Sequence, residues 1–133
     1  MKKLFAVAFA FCLGVTVSAQ AQNAVPYKLT DSFDETRAAA ERGDASAQTH
    51  LGYMYAEGRI VQQDHVQAAV WLRKAAVQGF VTAQYSLGLM YANGRGVPQD
   101  YAQAAAWYRK AADQGDDDSQ EELRKLKASG LIK

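Results

Sequence analysis

Ala47, Leu51, Met54 and Tyr55 stand at i, i+4, i+7 and i+8 along the chain, a spacing that puts all four on one face of an α-helix. A second apolar face follows in Ala68, Trp71, Leu72 and Ala75. Between the two lie Gly58, able to take the left-handed conformation that closes a helix, and Asp64, placed to cap the next one. Gln67 stands three residues beyond Asp64, the spacing of a capping box, and Gly79 ends the second pattern. The prediction is a helical hairpin.

The same hairpin is written again 36 residues later. Ala83, Leu87, Met90 and Tyr91 repeat the first face, Gly94 the stop, Asp100 and Gln103 the cap, and Ala104, Trp107, Tyr108 and Ala111 the second face. Pairing residues 47–80 with 83–116 gives 34 positions, of which 22 are identical and 12 differ. Such agreement at a fixed period marks a repeat array, in which each unit buries its apolar face only by stacking on a neighbour.

Half-units flank the two copies. "AAAERGDASAQ" (38–48) lines up with "KAAVQGFVTAQ" (74–84), and "DDSQEEL" (117–123) with "VTAQYSL" (81–87). Asp31 to Arg42 is therefore expected to be the second helix of an incomplete preceding unit, and Asp117 to Ala128 the first helix of a following one. That makes six helices in a domain spanning 31–133, with full repeats at about 45–80 and 81–116. Both ends are more charged than the middle, as suits elements with one face against water. Gly52 and Gly88 interrupt the first helix of each copy at a cost of about 1 kcal/mol relative to alanine, so the backbone of a neighbouring helix is expected to approach closely there.

Ahead of the helical patterns the chain changes character. Lys2 and Lys3 precede an apolar run from Leu4 to Val17, and Ala19-Gln20-Ala21 supplies small residues where a signal peptidase reads them. The pattern predicts a secretory signal, residues 1–21, cleaved after Ala21. Its 14 apolar residues fall short of the roughly 20 needed to span a bilayer. Phe11 precedes Cys12, where a lipoprotein signal would place a small residue. Gln22 to Thr30, with Pro26 and no helical period, reads as an extended lead-in.

Composition narrows the chemistry. Cys12 is the only cysteine, so residues 22–133 can form neither a disulfide nor a thiolate metal site. Removing Lys2 and Lys3 leaves 13 basic against 14 acidic residues, a formal charge of −1, which gives no pull towards nucleic acid or an anionic membrane. His50 and His65 lie on different helical patterns, away from any cysteine, and no serine stands in a nucleophile context. Asp116, Asp117 and Asp118, with Glu121 and Glu122, lack the glycine and ligand spacing of a calcium loop; carboxylates in the first turn of a helix are explained by the helix dipole. Catalytic and metal sites are accordingly expected to be absent.

The run from Ala83 to Gly115, A-x-x-x-L-G-x-M-Y-x-x-G-x-G-V-x-x-D followed by A-x-x-W-Y-R-K-A-A-x-Q-G, resembles the Sel1-like repeat, a relative of the tetratricopeptide repeat. The first copy departs from it where Ile60 replaces the second loop glycine and Gln62 stands opposite Pro98, so the loops are expected to differ in geometry. The resemblance implies an all-α fold, a short right-handed solenoid of helix-turn-helix repeats. It further implies a non-catalytic scaffold, without cofactor, that binds a protein or peptide partner on its concave face. Bacterial relatives of this kind are often exported, which points to a periplasmic or secreted adaptor, or to a modulator of an envelope enzyme or of host-cell contact.

Letters that differ between the copies are the natural place for copy-specific recognition. On the first helices these are Thr49, His50, Tyr53 and Glu57 against Tyr85, Ser86, Leu89 and Asn93. Positions 49, 53 and 57 recur every four residues, off the Leu51/Met54/Tyr55 face. In relatives the first helices line the concave groove, so the expected partner-binding residues are Thr49, Tyr53, Glu57, Tyr85, Leu89 and Asn93, continued by Glu121 and Lys125. Arg59 and Arg95 share one loop position and suit either a partner's carboxylate or, more commonly, the carbonyls of the helix end.

Overall fold

The computed structural model describes residues 29–133, which form six α-helices joined by short loops. They are α1 Leu29–Glu41, α2 Ala45–Glu57, α3 His65–Val77, α4 Val81–Asn93, α5 Tyr101–Asp113 and α6 Asp117–Ala128. The expected signal segment, and the lead-in as far as residue 28, lie outside the described residues. Helix α1 begins at Leu29, so the last two positions read as lead-in are helical. Among the described residues no helix is long and apolar enough to cross a membrane.

Aspartates start four of the helices. The carboxylates of Asp44, Asp64, Asp100 and Asp116 accept the backbone amides of Ala47, Gln67, Gln103 and Ser119 at 2.9–3.0 Å, which satisfies one of the otherwise orphaned donors of each first turn. Gln67 and Gln103 enter these caps through their backbone amides. Helix α4 begins differently: Phe80 occupies the cap position without a side-chain bond and packs on the core instead. Helices α2 and α4 end at Gly58 and Gly94, with φ of 68° and 63°, whose amides donate to Met54 and Met90.

Consecutive helices pack on one another in chain order, most extensively within the hairpins α2–α3 and α4–α5. This is the quasi-one-dimensional arrangement of an α-solenoid. The main core gathers Leu72, Ala75, Leu87, Met90, Trp107 and Tyr108 between α3, α4 and α5, closed by Leu126 of α6. A smaller cluster of Ala40, Leu51 and Met54 seals the α1 end, with Ile60 and Val61 packed on it. Ile60 thus uses its side chain where the second copy has Gly96, whose φ is +69° and where an added Cβ would run into the His65 carbonyl. No non-glycine residue described has positive φ, so the two loops differ in geometry.

The close approaches at Gly52 and Gly88 exist, but side chains make most of the contact. A Cβ at Gly52 would lie 2.7 Å from Leu72 Cγ and 3.3 Å from the Ala68 carbonyl oxygen. At Gly88 it would lie 2.5 Å from Cε1 and 2.6 Å from Cδ1 of the fully buried Tyr108 ring. The expectation of backbone meeting backbone is therefore corrected: the space left by each glycine is filled by the large residue of the hairpin partner.

A pair of glutamines couples each unit to the next. Buried Gln48 donates through Nε2 to the Ala40 carbonyl at 3.0 Å and accepts from Gln78 at 2.8 Å. One repeat later Gln84 donates to Ala76 at 3.1 Å and accepts from Gln114 at 2.9 Å. Each latch satisfies a carbonyl near the end of one second helix and ties it to the end of the following one, so the stacking angle is set by buried hydrogen bonds as well as by apolar contact.

Candidate functional site

Helices α2 and α4, the first helices of successive repeats, are joined directly by a 2.6 Å hydrogen bond between the hydroxyls of Tyr53 and Ser86. Around this contact lies a cleft of about 330 Å³. Tyr53, Ala56 and Glu57 come to it from α2, Ser86, Leu89, Met90 and Asn93 from α4, His65 and Leu72 from α3, and Arg95 from the loop after α4. Leu72 and Met90 are buried, whereas Glu57, Asn93 and Arg95 are exposed. The cleft thus has an apolar base and a polar rim, a composition suited to holding a side chain in a fixed orientation.

Four of the eight expected binding residues meet here: Tyr53, Glu57, Leu89 and Asn93. Their spacing of four along α2 and α4 places each pair on one helix face, and the Tyr53–Ser86 bond holds the two faces together. Thr49 requires correction. It is buried, and its hydroxyl donates to the Ala45 carbonyl at 2.8 Å, so the helix itself occupies the group offered to a partner.

Tyr85, Glu121 and Lys125 occupy a separate neighbourhood towards α6. The Tyr85 ring packs on Tyr108 with centroids 6.0 Å apart. Burial, then the charges of Glu122, Asp118 and Asp116, raise the Tyr85 hydroxyl above its ordinary pKa, against a smaller lowering by Lys125. Glu121 pairs with Arg124, and Lys125 with Glu122 at 2.8 Å. Burial drives the Tyr108 hydroxyl further still in the same direction, and that hydroxyl has no hydrogen-bond partner among the described residues.

The two loop arginines differ in a way that alignment of like positions does not reveal. Arg59 lies 3.8 Å from Glu57. At the position matching Glu57 the second copy has Asn93, whose amide donates to the Leu89 carbonyl at 2.9 Å. Arg95 consequently has no ion pair among the described residues. Nor does its guanidinium cap the helix end; the backbone amides of Gly94 and Arg95 both donate to Met90 instead. Ser86 and His65 are cleft residues that the expected binding stripe left out, although both positions differ between the copies. The available signal was the offset of 33 between Tyr53 and Ser86, one repeat less about a helical turn, which brings unlike positions of successive helices together.

Elsewhere α3 exposes Val66, Val70 and Val77, where the second copy has Ala102, Ala106 and Asp113.

The Sel1 repeat family model matches residues 45–80 and 81–116. Among solved structures, a protective antigen present in uropathogenic Escherichia coli strains and displaying an SLR fold is 47% identical, with a TM-score of 0.72. That match covers 74% of this chain and 21% of the antigen, so the chain spans about a fifth of the antigen's length. A Sel1 repeat protein from Oxalobacter formigenes is 35% identical over 74% of this chain and 89% of its own, with a TM-score of 0.64. Helicobacter pylori cysteine rich protein B is 27% identical over 68% of each chain, with a TM-score of 0.66. Among curated proteins none matches the chain.

Proposed function

The chain belongs to the Sel1 repeat family, and from that premise we propose that it is an exported protein-binding module that seats a short segment of a partner protein in the cleft between α2 and α4. Sel1 repeat proteins are generally scaffolds for protein–protein interaction, and the repeat is non-catalytic. The observation that carries the proposal is the convergence of Tyr53, Glu57, Leu89 and Asn93 on one apolar-based cleft, at positions where the copies differ in sequence. Residues that packing does not hold alike are free to specify a partner. Tyrosine suits such a rim, since a large ring with few rotatable bonds and a polar tip is enriched at binding hot spots.

Export is supported by the charged, apolar and small-residue order of residues 2–21. The periplasm or the extracellular medium is the compartment proposed, with no stable membrane anchor after cleavage. A cleft of about 330 Å³ accommodates one or two side chains, so the bound element is a peptide segment or one exposed helix. The interface formed is expected to bury less than about 2,000 Å² in total. A second reading, contact with a host cell, draws on the identity to the protective antigen.

Co-purification from a cell-envelope extract tests the proposal, comparing wild type with a Tyr53→Ala, Leu89→Ala variant that still melts cooperatively. A partner captured by wild type and lost by the variant is the expected result. A partner retained equally by both would move the site away from this cleft.

A further inference from the structure

The cleft carries a cation that forms no ion pair among the described residues. In the first copy the loop arginine, Arg59, has Glu57 beside it at 3.8 Å. In the second, Asn93 stands in that place and bonds its own helix, which leaves the exposed Arg95 guanidinium at the rim without an ion pair among the described residues. Glu57, the one carboxylate lining the cleft among the described residues, is already engaged by Arg59. An apolar base beside an unpaired guanidinium complements a ligand that joins an apolar group to a carboxylate, since arginine binds carboxylates through paired, charge-assisted hydrogen bonds.

We infer that the segment bound here carries an apolar side chain, seated over Leu72 and Met90, followed within a few positions by an aspartate or glutamate whose carboxylate pairs with Arg95. The inference rests on the reading of the cleft given above. The carboxylate belongs to a side chain and not to a chain terminus. Capture of a C-terminus uses clustered backbone amides, and the amides of Gly94 and Arg95 are both spent on the Met90 carbonyl. What remains to meet the charge is a flexible guanidinium on an open rim, which suits a side-chain carboxylate presented by a continuing chain.

The test is selection of short random peptides, displayed on phage, by the wild-type protein and by Arg95→Glu, Arg95→Lys and Leu89→Arg variants, all checked for cooperative melting. Wild type is expected to enrich peptides with Asp or Glu close after an apolar residue. Arg95→Lys keeps that preference, Arg95→Glu exchanges it for Lys or Arg, and Leu89→Arg abolishes enrichment; if Leu89→Arg does not fold, Asn93→Trp blocks the cleft from an exposed position. In fluorescence anisotropy the Glu→Gln form of a selected peptide binds about tenfold more weakly, and amidating its C-terminus changes nothing. Enriched peptides indifferent to charge, the same acidic preference with Arg95→Glu, or loss of binding on amidation would overturn the assignment to Arg95 and leave the cleft standing. No enrichment by wild type, or enrichment untouched by blocking the cleft, would overturn the cleft itself and this inference with it.

Discussion

Replacing Gly88 by alanine sets two effects of opposite sign against each other. An alanine within a helix is favoured over glycine by about 1 kcal/mol, so on propensity alone the variant gains stability. The added Cβ, however, would stand 2.5 Å from Cε1 and 2.6 Å from Cδ1 of Tyr108. That ring is fully buried and held by Tyr85 on one side. Overpacking of this kind costs about 1–3 kcal/mol, and a ring contacted along its edge cannot rotate away as the end of a flexible chain would, which places the cost in the upper part of that range. The net expectation is a loss of about 1–2 kcal/mol, a fall in Tm of about 5 °C or more for a domain of this size. Urea and thermal unfolding followed by far-UV circular dichroism measure it. Introducing Gly88→Ala into a Tyr108→Val background supplies the control, because valine has no atom where Cδ1 and Cε1 stand. There the substitution is expected to be neutral or stabilising, giving a coupling of about 2 kcal/mol between the two positions. A Gly88→Ala protein that melts at or above wild type would refute the steric argument, and equal effects in both backgrounds would show that Tyr108 is not the residue in the way.

Three further outcomes follow from the same packing. Gln84→Leu removes the buried amide that bonds both Ala76 and Gln114 and is expected to cost about 1–3 kcal/mol in urea unfolding, from the loss of two hydrogen bonds; no change would mean the latch is incidental. Asp100→Ala deletes the cap on Gln103 and should cost about 1 kcal/mol, whereas Asp100→Asn should recover most of that loss. Tyr108→Phe deletes a buried hydroxyl without a partner among the described residues, so it should be neutral or stabilise by about 1 kcal/mol, and a clear destabilisation would contradict this. The same variant has a signature in pH. Burial raises the folded-state pKa of Tyr108 above the ordinary value of 10.0, so its contribution to stability is complete below about pH 10 and is lost as pH rises towards the folded value. Tyr108→Phe should therefore show a shallower alkaline decline than wild type, and identical declines would contradict the burial argument.

The helices were legible because the signals that define them are local and were written twice. Caps at Asp64 and Asp100, stops at Gly58 and Gly94, and apolar faces at helical spacing are fixed by residues within a turn or two of one another, and the repeat supplied an independent copy of each. Contacts between unlike positions were not legible. The Tyr53–Ser86 bond and the Gln48–Gln78 latch link residues 33 and 30 apart, offsets that an alignment at period 36 never superimposes. Thr49 misled for a related reason: its place in the stripe gave the face on which it lies, but not that this part of the face is covered. Gly52 and Gly88 marked a close approach correctly, although a glycine alone does not say whether the neighbour is backbone or ring. The unpaired state of Arg95 was hidden by its identity with Arg59, since what differs is the residue beside it.

The proposed function requires a partner held on the first-helix face, between α2 and α4. Photocrosslinking addresses it directly, with benzoylphenylalanine placed singly at the exposed positions Glu57, Asn93, Val70 and Ala106, the last two on the second helices. Covalent capture of one and the same partner is expected from Glu57 and Asn93 and none from Val70 or Ala106. Capture from Val70 and Ala106, with Glu57 and Asn93 silent, would contradict it.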